Sequence, residues 1–234
     1  MEQATKSKMN QSIEPLTNPA SLDLERLNQK FEQAHPKDIL AWCIVNVPTG
    51  LIQTSTFSVD DLLITDLLYR DLQPPNLTPV LFVDTLHHFP QTLDLVAKAK
   101  HLYTLNLKSY KTPGVTMRQD FAAKYGEALW KKDINKFHQL TKVEPLQRGL
   151  AELGAIAWLT GDRRNQASTF AHLPIFELDS HQRLKVNPLA NWTRKETWAY
   201  VFEYDVTYNP LHDQGYSNIG DEPLTMPTTG IANE

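Results

Sequence analysis

Four segments of this chain concentrate residue types that bind anions or polar nucleosides. The first is Thr54-Ser55-Thr56-Phe57-Ser58, with four hydroxyls in five residues. Hydroxyl donors beside the N–H groups and positive dipole end of a following helix suit a phosphate. The plain alternative is a helix cap, with Ser58 as cap and Asp61 closing a capping box. The second segment, Phe82-Val83-Asp84-Thr85-Leu86-His87-His88-Phe89-Pro90, is an apolar run ending in polar groups. Asp84 there would accept hydrogen bonds from a ribose or an adenine amino group. Adjacent histidines at a helix start diverge, so the pair reads as one packed and one solvent-facing imidazole rather than a metal site. The third is Thr160-Gly161-Asp162-Arg163-Arg164-Asn165-Gln166. Each arginine offers a planar fork of donors matched to phosphate or sulfate, and Gly161 permits a tight turn. Its plain alternative is a surface loop with two solvated guanidinium groups. The fourth, Tyr208 to Asp221, mixes aromatic, polar and glycine residues without periodicity, as a binding loop or an ordered tail does.

These segments need elements that bring them together. Alternating patterns supply them. Strands are expected at 50–54, 80–83, 105–110 and 155–160, with short edge strands at 173–178 and 184–186 divided by the turn Asp179-Ser180. Helices are expected at 22–31, 38–45, 59–69 and 91–102, through most of 121–153 with breaks near Asp133 and Pro145, and at 193–204. Thr193 and Glu196 form the capping box of the last helix. Strand–helix alternation argues for an α/β fold whose mostly parallel sheet carries helices on both faces. Ligands of such sheets bind outside the carboxyl ends of the strands, where three of the polar turns fall. The expected organisation is a flexible tail over residues 1–20, a nucleotide-binding domain over 21–207, and a binding loop with a short tail over 208–234.

Composition narrows the function. The chain has 234 residues and a formal net charge of −4. Basic residues neither dominate nor cluster, which argues against a nucleic-acid surface. No stretch approaches the roughly 20 apolar residues of a membrane span, and residues 1–15 lack a signal-peptide core, so the cytoplasm is the expected compartment. A single cysteine, Cys43, excludes a disulfide framework and a multi-cysteine iron–sulfur site within the chain. It sits in the apolar stretch Ala41-Trp42-Cys43-Ile44 with no basic neighbour, and reads as a core residue.

Several ordered motifs between Leu22 and Thr225 together resemble the thioredoxin-dependent 3′-phosphoadenylyl sulfate (PAPS) reductase family. They are Tyr125-Gly126 with Leu129-Trp130, Lys142-Val143-Glu144-Pro145-Leu146, Gly161 with Arg163-Arg164 and Gln166, Asn187-Pro188-Leu189 with Trp192, and Tyr208-Asn209-Pro210-Leu211-His212-Asp213-Gln214-Gly215-Tyr216 through Ile219-Gly220-Asp221. The resemblance implies an adenine-nucleotide α-hydrolase-like fold and a homodimer. It implies reduction of PAPS to sulfite and adenosine 3′,5′-bisphosphate, in sulfate assimilation, with thioredoxin as electron donor and no bound cofactor. It adds Lys142, Thr85 and Tyr216 to the expected substrate-binding set of Thr54 to Ser58, Asp84, Gly161, Arg163, Arg164 and Gln166. His138-Gln139, and Asp221 with Leu224, stand where related adenylyl sulfate reductases carry cysteine pairs. The resemblance is therefore to the cluster-free branch.

The sequence also departs from that family. The family nucleophile is a cysteine in a C-terminal Glu-Cys-Gly-Leu/Ile-His motif, which residues 1–234 do not contain. The polypeptide is thus expected to lack activity alone, either as a fragment or as a degenerate nucleotide-binding or dimerisation homologue. Ser58 replaces a glycine, which would hinder backbone approach to a phosphate. Asp162, Ala167 and Phe170 replace an apolar residue, a serine and an arginine, weakening the anion site. An adenylyl transferase of the same fold would need a Ser-Gly-Gly loop that is absent.

Overall fold

A computed structural model describes residues 15–228 of the chain. Six strands form one sheet: β1 (Leu51–Ser55), β2 (Val80–Val83), β3 (Leu107–Tyr110), β4 (Ala157–Leu159), β5 (Phe176–Leu178) and β6 (Leu184–Val186). Their order is β3-β2-β1-β4-β6-β5. Every neighbouring pair is parallel except β5–β6. β6 therefore lies inside the sheet, between β4 and β5, rather than at an edge as its shortness suggested. Its hydrogen-bonding needs are met on both sides, a non-local outcome that three residues of sequence do not encode.

Alternation along the strands divides the core. Val80 and Phe82 face the main apolar cluster, which α2 (Pro36–Asn46), α3 (Val59–Asp66), α4 (Pro90–Leu102) and α9 (Arg194–Glu203) help to build. Ile52 and Leu81 face the other side, where Leu150 of α8 (Glu144–Glu152) covers them. Both faces are buried, as continuous apolar runs in parallel strands require. Helix α8 approaches closely because Gly149 has no side chain. A Cβ there would lie 2.6 Å from Leu81 Cδ1. The free edge of β5 is covered by α1 (Leu24–Phe31), whose Asn28 side chain bonds both the N–H and the carbonyl of Phe176, at 2.9 and 2.8 Å.

The helical region after β3 breaks differently from the expectation. It forms α5 (Arg118–Tyr125), α6 (Leu129–Lys132) and α7 (Ile134–His138), and a π-helical turn then runs into α8. Asp133 does mark a break, capping α7 through Lys136 N at 2.9 Å. Pro145 does not, because the helix runs through it by way of the π-helical turn, and Leu140 O takes a hydrogen bond from Thr112 Oγ1 at 2.8 Å. β4 is shorter than expected, which leaves Thr160 to Arg163 as a loop at its carboxyl end, followed by a 3-10 turn at Arg164–Gln166. Of the expected N-terminal tail, residues 1–14 lie outside the described residues. Leu16 N donates to Asn46 O at 2.7 Å, and Pro19 is buried. Beyond Tyr208 the chain forms short 3-10 turns, Pro210–Gln214 and Glu222–Leu224, and residues 229–234 are again outside.

The chain runs β1, β2, β3 toward one edge and then returns to place β4 on the other side of β1. That reversal opens a crevice at the carboxyl ends of β1 and β4.

Candidate functional site

A cavity of about 530 Å³ occupies that crevice. Its floor is the turn from β1 into α3. Thr54, Ser55, Thr56, Phe57 and Ser58 all line it. Most of their hydroxyls already have partners within the fold. Thr54 Oγ1 donates to Leu159 O at 2.9 Å, and Ser55 Oγ accepts from Phe57 N at 3.0 Å. Thr56 donates both its N–H and its hydroxyl to Asp61 Oδ2, each at 2.8 Å. Ser58 Oγ caps α3 by accepting from Asp61 N at 3.1 Å. Ser58 therefore caps α3 while the turn lines the cavity, but the expected capping box does not close, because the Asp61 carboxylate reaches back to Thr56 N rather than to Ser58 N. Ser58 has φ −63 and ψ 165, an extended conformation open to any residue, so no glycine is required of the backbone there. The left-handed position falls one residue earlier, on Phe57 at φ 59, held by a buried ring packed edge-on against Phe82. Strain of this kind persists where packing over-determines it.

Asp61 is buried beneath this turn. Desolvation pushes its carboxyl up to about 6, opposed by the hydrogen bonds from Thr56. Gly161 explains the close fit, since a Cβ there would lie 2.6 Å from Asp61 Oδ1 and 3.1 Å from Asp61 N. The loop after β4 can lie on the start of α3 only without a side chain. A pH prediction follows. In the unfolded chain Asp61 ionises near 3.8, and in the fold near 6. The folded state holds the proton longer, so this group's stabilising contribution is full below about pH 4 and lost as pH rises through 6. The loss is on the order of 3 kcal/mol. Urea unfolding of the wild type and Asp61→Asn across that window should show the wild type losing stability relative to the variant. Parallel profiles would rule the shift out.

Three cations of the cavity are already paired with carboxylates. Arg163 lines it and is only 6% exposed at its side chain. Its Nε lies 2.7 Å from Asp60 Oδ1, and its remaining nitrogens reach Asp60 Oδ2 at 3.4 Å and Asn165 Oδ1 at 2.9 Å. Asp60 also accepts from Thr197 Oγ1 at 3.0 Å. Lys142 lines the cavity with Nζ 2.8 Å from Asp221 Oδ2. Asp221 accepts from Thr85 Oγ1 at 2.6 Å, so the loop at the end of β2 and the C-terminal segment are tied at one wall. Lys185 of β6 pairs with Asp162 at 3.3 Å and Glu177 at 3.1 Å. The acid at position 162 is thereby matched locally. Gly161 and Gln166 also line the cavity.

Three expected residues do not reach it. Asp84 N donates to Tyr110 O at 2.7 Å, extending the ladder with β3 by one residue. Its carboxylate accepts from Leu86 N at 2.9 Å and pairs with Lys111 at 3.4 Å, so Thr85, not Asp84, enters the cavity. Arg164 points away from its neighbour. It binds Leu173 O at 2.7 Å and the Glu32 carboxylate at 2.6 and 3.1 Å. Tyr216 packs edge-on against Phe89 at 5.6 Å instead. The two histidines diverge as expected. His87 is buried among Phe121, Trp130 and Phe137, while His88 stacks on Phe82 and lines the cavity. Asp60, Lys185, Arg194 and Trp198 line the cavity but carried no signal in the sequence beyond lying near capped helix starts or on a strand. Among the described residues no three His, Cys, Asp or Glu side chains group to hold a metal, and no helix is long and apolar enough to cross a membrane.

Known proteins resemble this chain in sequence and fold. A family model described as the phosphoadenosine phosphosulfate reductase domain matches residues 50–227. The phosphoadenosine phosphosulfate reductase of Emericella nidulans is 42% identical over 87% of this chain and 67% of its own length. That of Saccharomyces cerevisiae is 39% identical over 91% of this chain and 84% of its own. An adenosine 5′-phosphosulfate reductase of Geobacillus kaustophilus is 37% identical over 82% and 80%. A crystal structure of PAPS reductase from Candida auris superposes with a TM-score of 0.79 at 40% identity, covering 87% of this chain and 96% of that one. Candida glabrata FMN adenylyltransferase shares the nucleotide-binding α/β fold alone, at a TM-score of 0.59 and 15% identity. A match across most of the chain, carried by sequence and fold alike, makes this protein a member of the phosphoadenosine phosphosulfate reductase domain family.

Proposed function

We propose that this chain is a phosphoadenylyl-sulfate reductase domain, binding PAPS and its product adenosine 3′,5′-bisphosphate in sulfate assimilation. The carrying observation is the cavity at the β1–β4 reversal, where the hydroxyl turn Thr54 to Ser58, Thr85, Lys142 and Arg163 converge. The β1–α3 turn suits the phosphosulfate end, beside the N-terminus of α3. Thr85 and His88 suit the nucleoside side. Thioredoxin is the electron donor, the working assembly a homodimer and the compartment the cytoplasm, with no nucleic acid or membrane involved. No iron–sulfur cluster is bound, since one cysteine cannot ligate it. In the reaction a thiolate attacks the sulfur and the S–O bond to the phosphate breaks. Adenosine 3′,5′-bisphosphate leaves. The dithiol of reduced thioredoxin then cleaves the resulting S-sulfonate, releasing sulfite and becoming a disulfide.

A second reading is a non-catalytic nucleotide-binding homologue. It is favoured by Cys43, the single thiol of these 234 residues, being wholly buried. Both readings require nucleotide binding. Calorimetry with adenosine 3′,5′-bisphosphate should give a Kd on the order of 10 µM, about −7 kcal/mol. Absence of binding at millimolar ligand would remove both.

A further inference from the structure

The charges lining the cavity are not evenly committed. Four carboxylates face it, those of Asp60, Asp61, Asp162 and Asp221, together with four cations, Lys142, Arg163, Lys185 and Arg194. Three of the cations each contact a carboxylate: Lys142 with Asp221, Arg163 with Asp60, and Lys185 with Asp162. Without Arg194 the wall carries more negative than positive charge. A ligand with several phosphate charges would then meet net repulsion, in a partly enclosed site where screening is weak.

Arg194 differs from the other three. Among the described residues its guanidinium has no acidic partner. Its terminal nitrogen donates at 3.0 Å to the backbone oxygen of Ser217, a neutral acceptor in the loop that also lines the cavity. The side chain is exposed, at the first position of α9. One turn on, Thr197 hydrogen-bonds Asp60, so this helix end abuts the start of α3. A carbonyl uses one of five guanidinium donors, and the rest stay available for a forked contact with phosphate oxygens.

On the reading that the cavity binds a phosphorylated adenine nucleotide, we propose that Arg194 is a phosphate-binding residue, the one lining cation not paired with a carboxylate among the described residues. The other lining cations hold the walls together through their carboxylates. The guanidinium of Arg194 contacts a phosphate group directly and gives the cavity its preference for polyanionic nucleotides.

The test is calorimetry of the wild type, Arg194→Ala and Arg194→Lys with adenosine 3′,5′-bisphosphate and with AMP, which differ only in the 3′-phosphate. Arg194→Ala should weaken bisphosphate binding about tenfold to 150-fold, the range of a charge-assisted hydrogen bond. Arg194→Lys should restore part of it. Loss with the bisphosphate alone assigns Arg194 to the 3′-phosphate, and equal loss with AMP assigns it to the 5′ end. Either supports the proposal. Wild-type binding that Arg194→Ala leaves unchanged for both ligands overturns it, while the reading of the cavity stands. A wild type that binds neither ligand overturns that reading and this assignment with it.

Discussion

Arg163→Ala should lower the unfolding free energy by about 3 kcal/mol, because it strands a carboxylate in the fold. Arginine 163 is 6% exposed at its side chain and Asp60 13%, with 2.7 Å between Nε and Oδ1. The pair joins the loop after β4 to the first turn of α3. Removing the guanidinium leaves Asp60 with Thr197 as its remaining side-chain donor. Breaking one partner of a buried pair costs far more than removing both. The double variant Asp60→Leu/Arg163→Met should therefore recover much of what Arg163→Ala loses. Urea unfolding with a shared slope reads the difference as a shift in midpoint. The stranded carboxylate also faces the cavity, so affinity for an anionic nucleotide should fall alongside stability. A change in stability below about 0.5 kcal/mol, the scale of an ordinary surface substitution, would mean the pair is not buried in solution.

That prediction differs from the one the sequence invites, and the difference shows which kind of information a sequence carries. Periodicity located the strands and helices to within a few residues, because burial on both sheet faces demands continuous apolar runs. The Thr193–Glu196 box was legible because its partners lie three residues apart; Glu196 Oε2 accepts from Thr193 N at 2.7 Å. Convergence of the β1 and β4 turns followed from α/β topology. The pairing of Arg163 was not legible, since its carboxylate lies 103 residues away. Nor was the turning of Asp84 away from the cavity, although Thr85 beside it was expected there and lines it. Successive residues of an extended chain face opposite ways, so one extra hydrogen bond of Asp84 with β3 turned its side chain toward Lys111. The interior place of β6 depended likewise on distant partners, and Lys185 is tolerated there because Asp162 and Glu177 match its charge.

The 234-residue polypeptide should release no sulfite from PAPS and reduced thioredoxin, although on the proposed function it should bind the product nucleotide. The step needs a thiolate within reach of the sulfur. Cys43 is the single cysteine of the chain, and its side chain is wholly buried in the main core, among Leu40, Val47 and Leu51. Desolvation drives its pKa far above that of a free thiol, so it stays protonated at neutral pH. It does not line the cavity. A packed thiol with neither exposure nor a cationic neighbour is inert. An aromatic disulfide reagent should accordingly find no reactive thiol in the native protein and one per chain after denaturation in guanidinium. Cys43→Ala should leave affinity for adenosine 3′,5′-bisphosphate unchanged and cost stability on the scale of about 1 kcal/mol, from the small cavity it opens. Sulfite release that Cys43→Ala abolishes, or rapid labelling of the native thiol, would show that helix α2 opens far enough to present the sulfur. In that case the buried cysteine, not an added segment, would be the nucleophile to pursue.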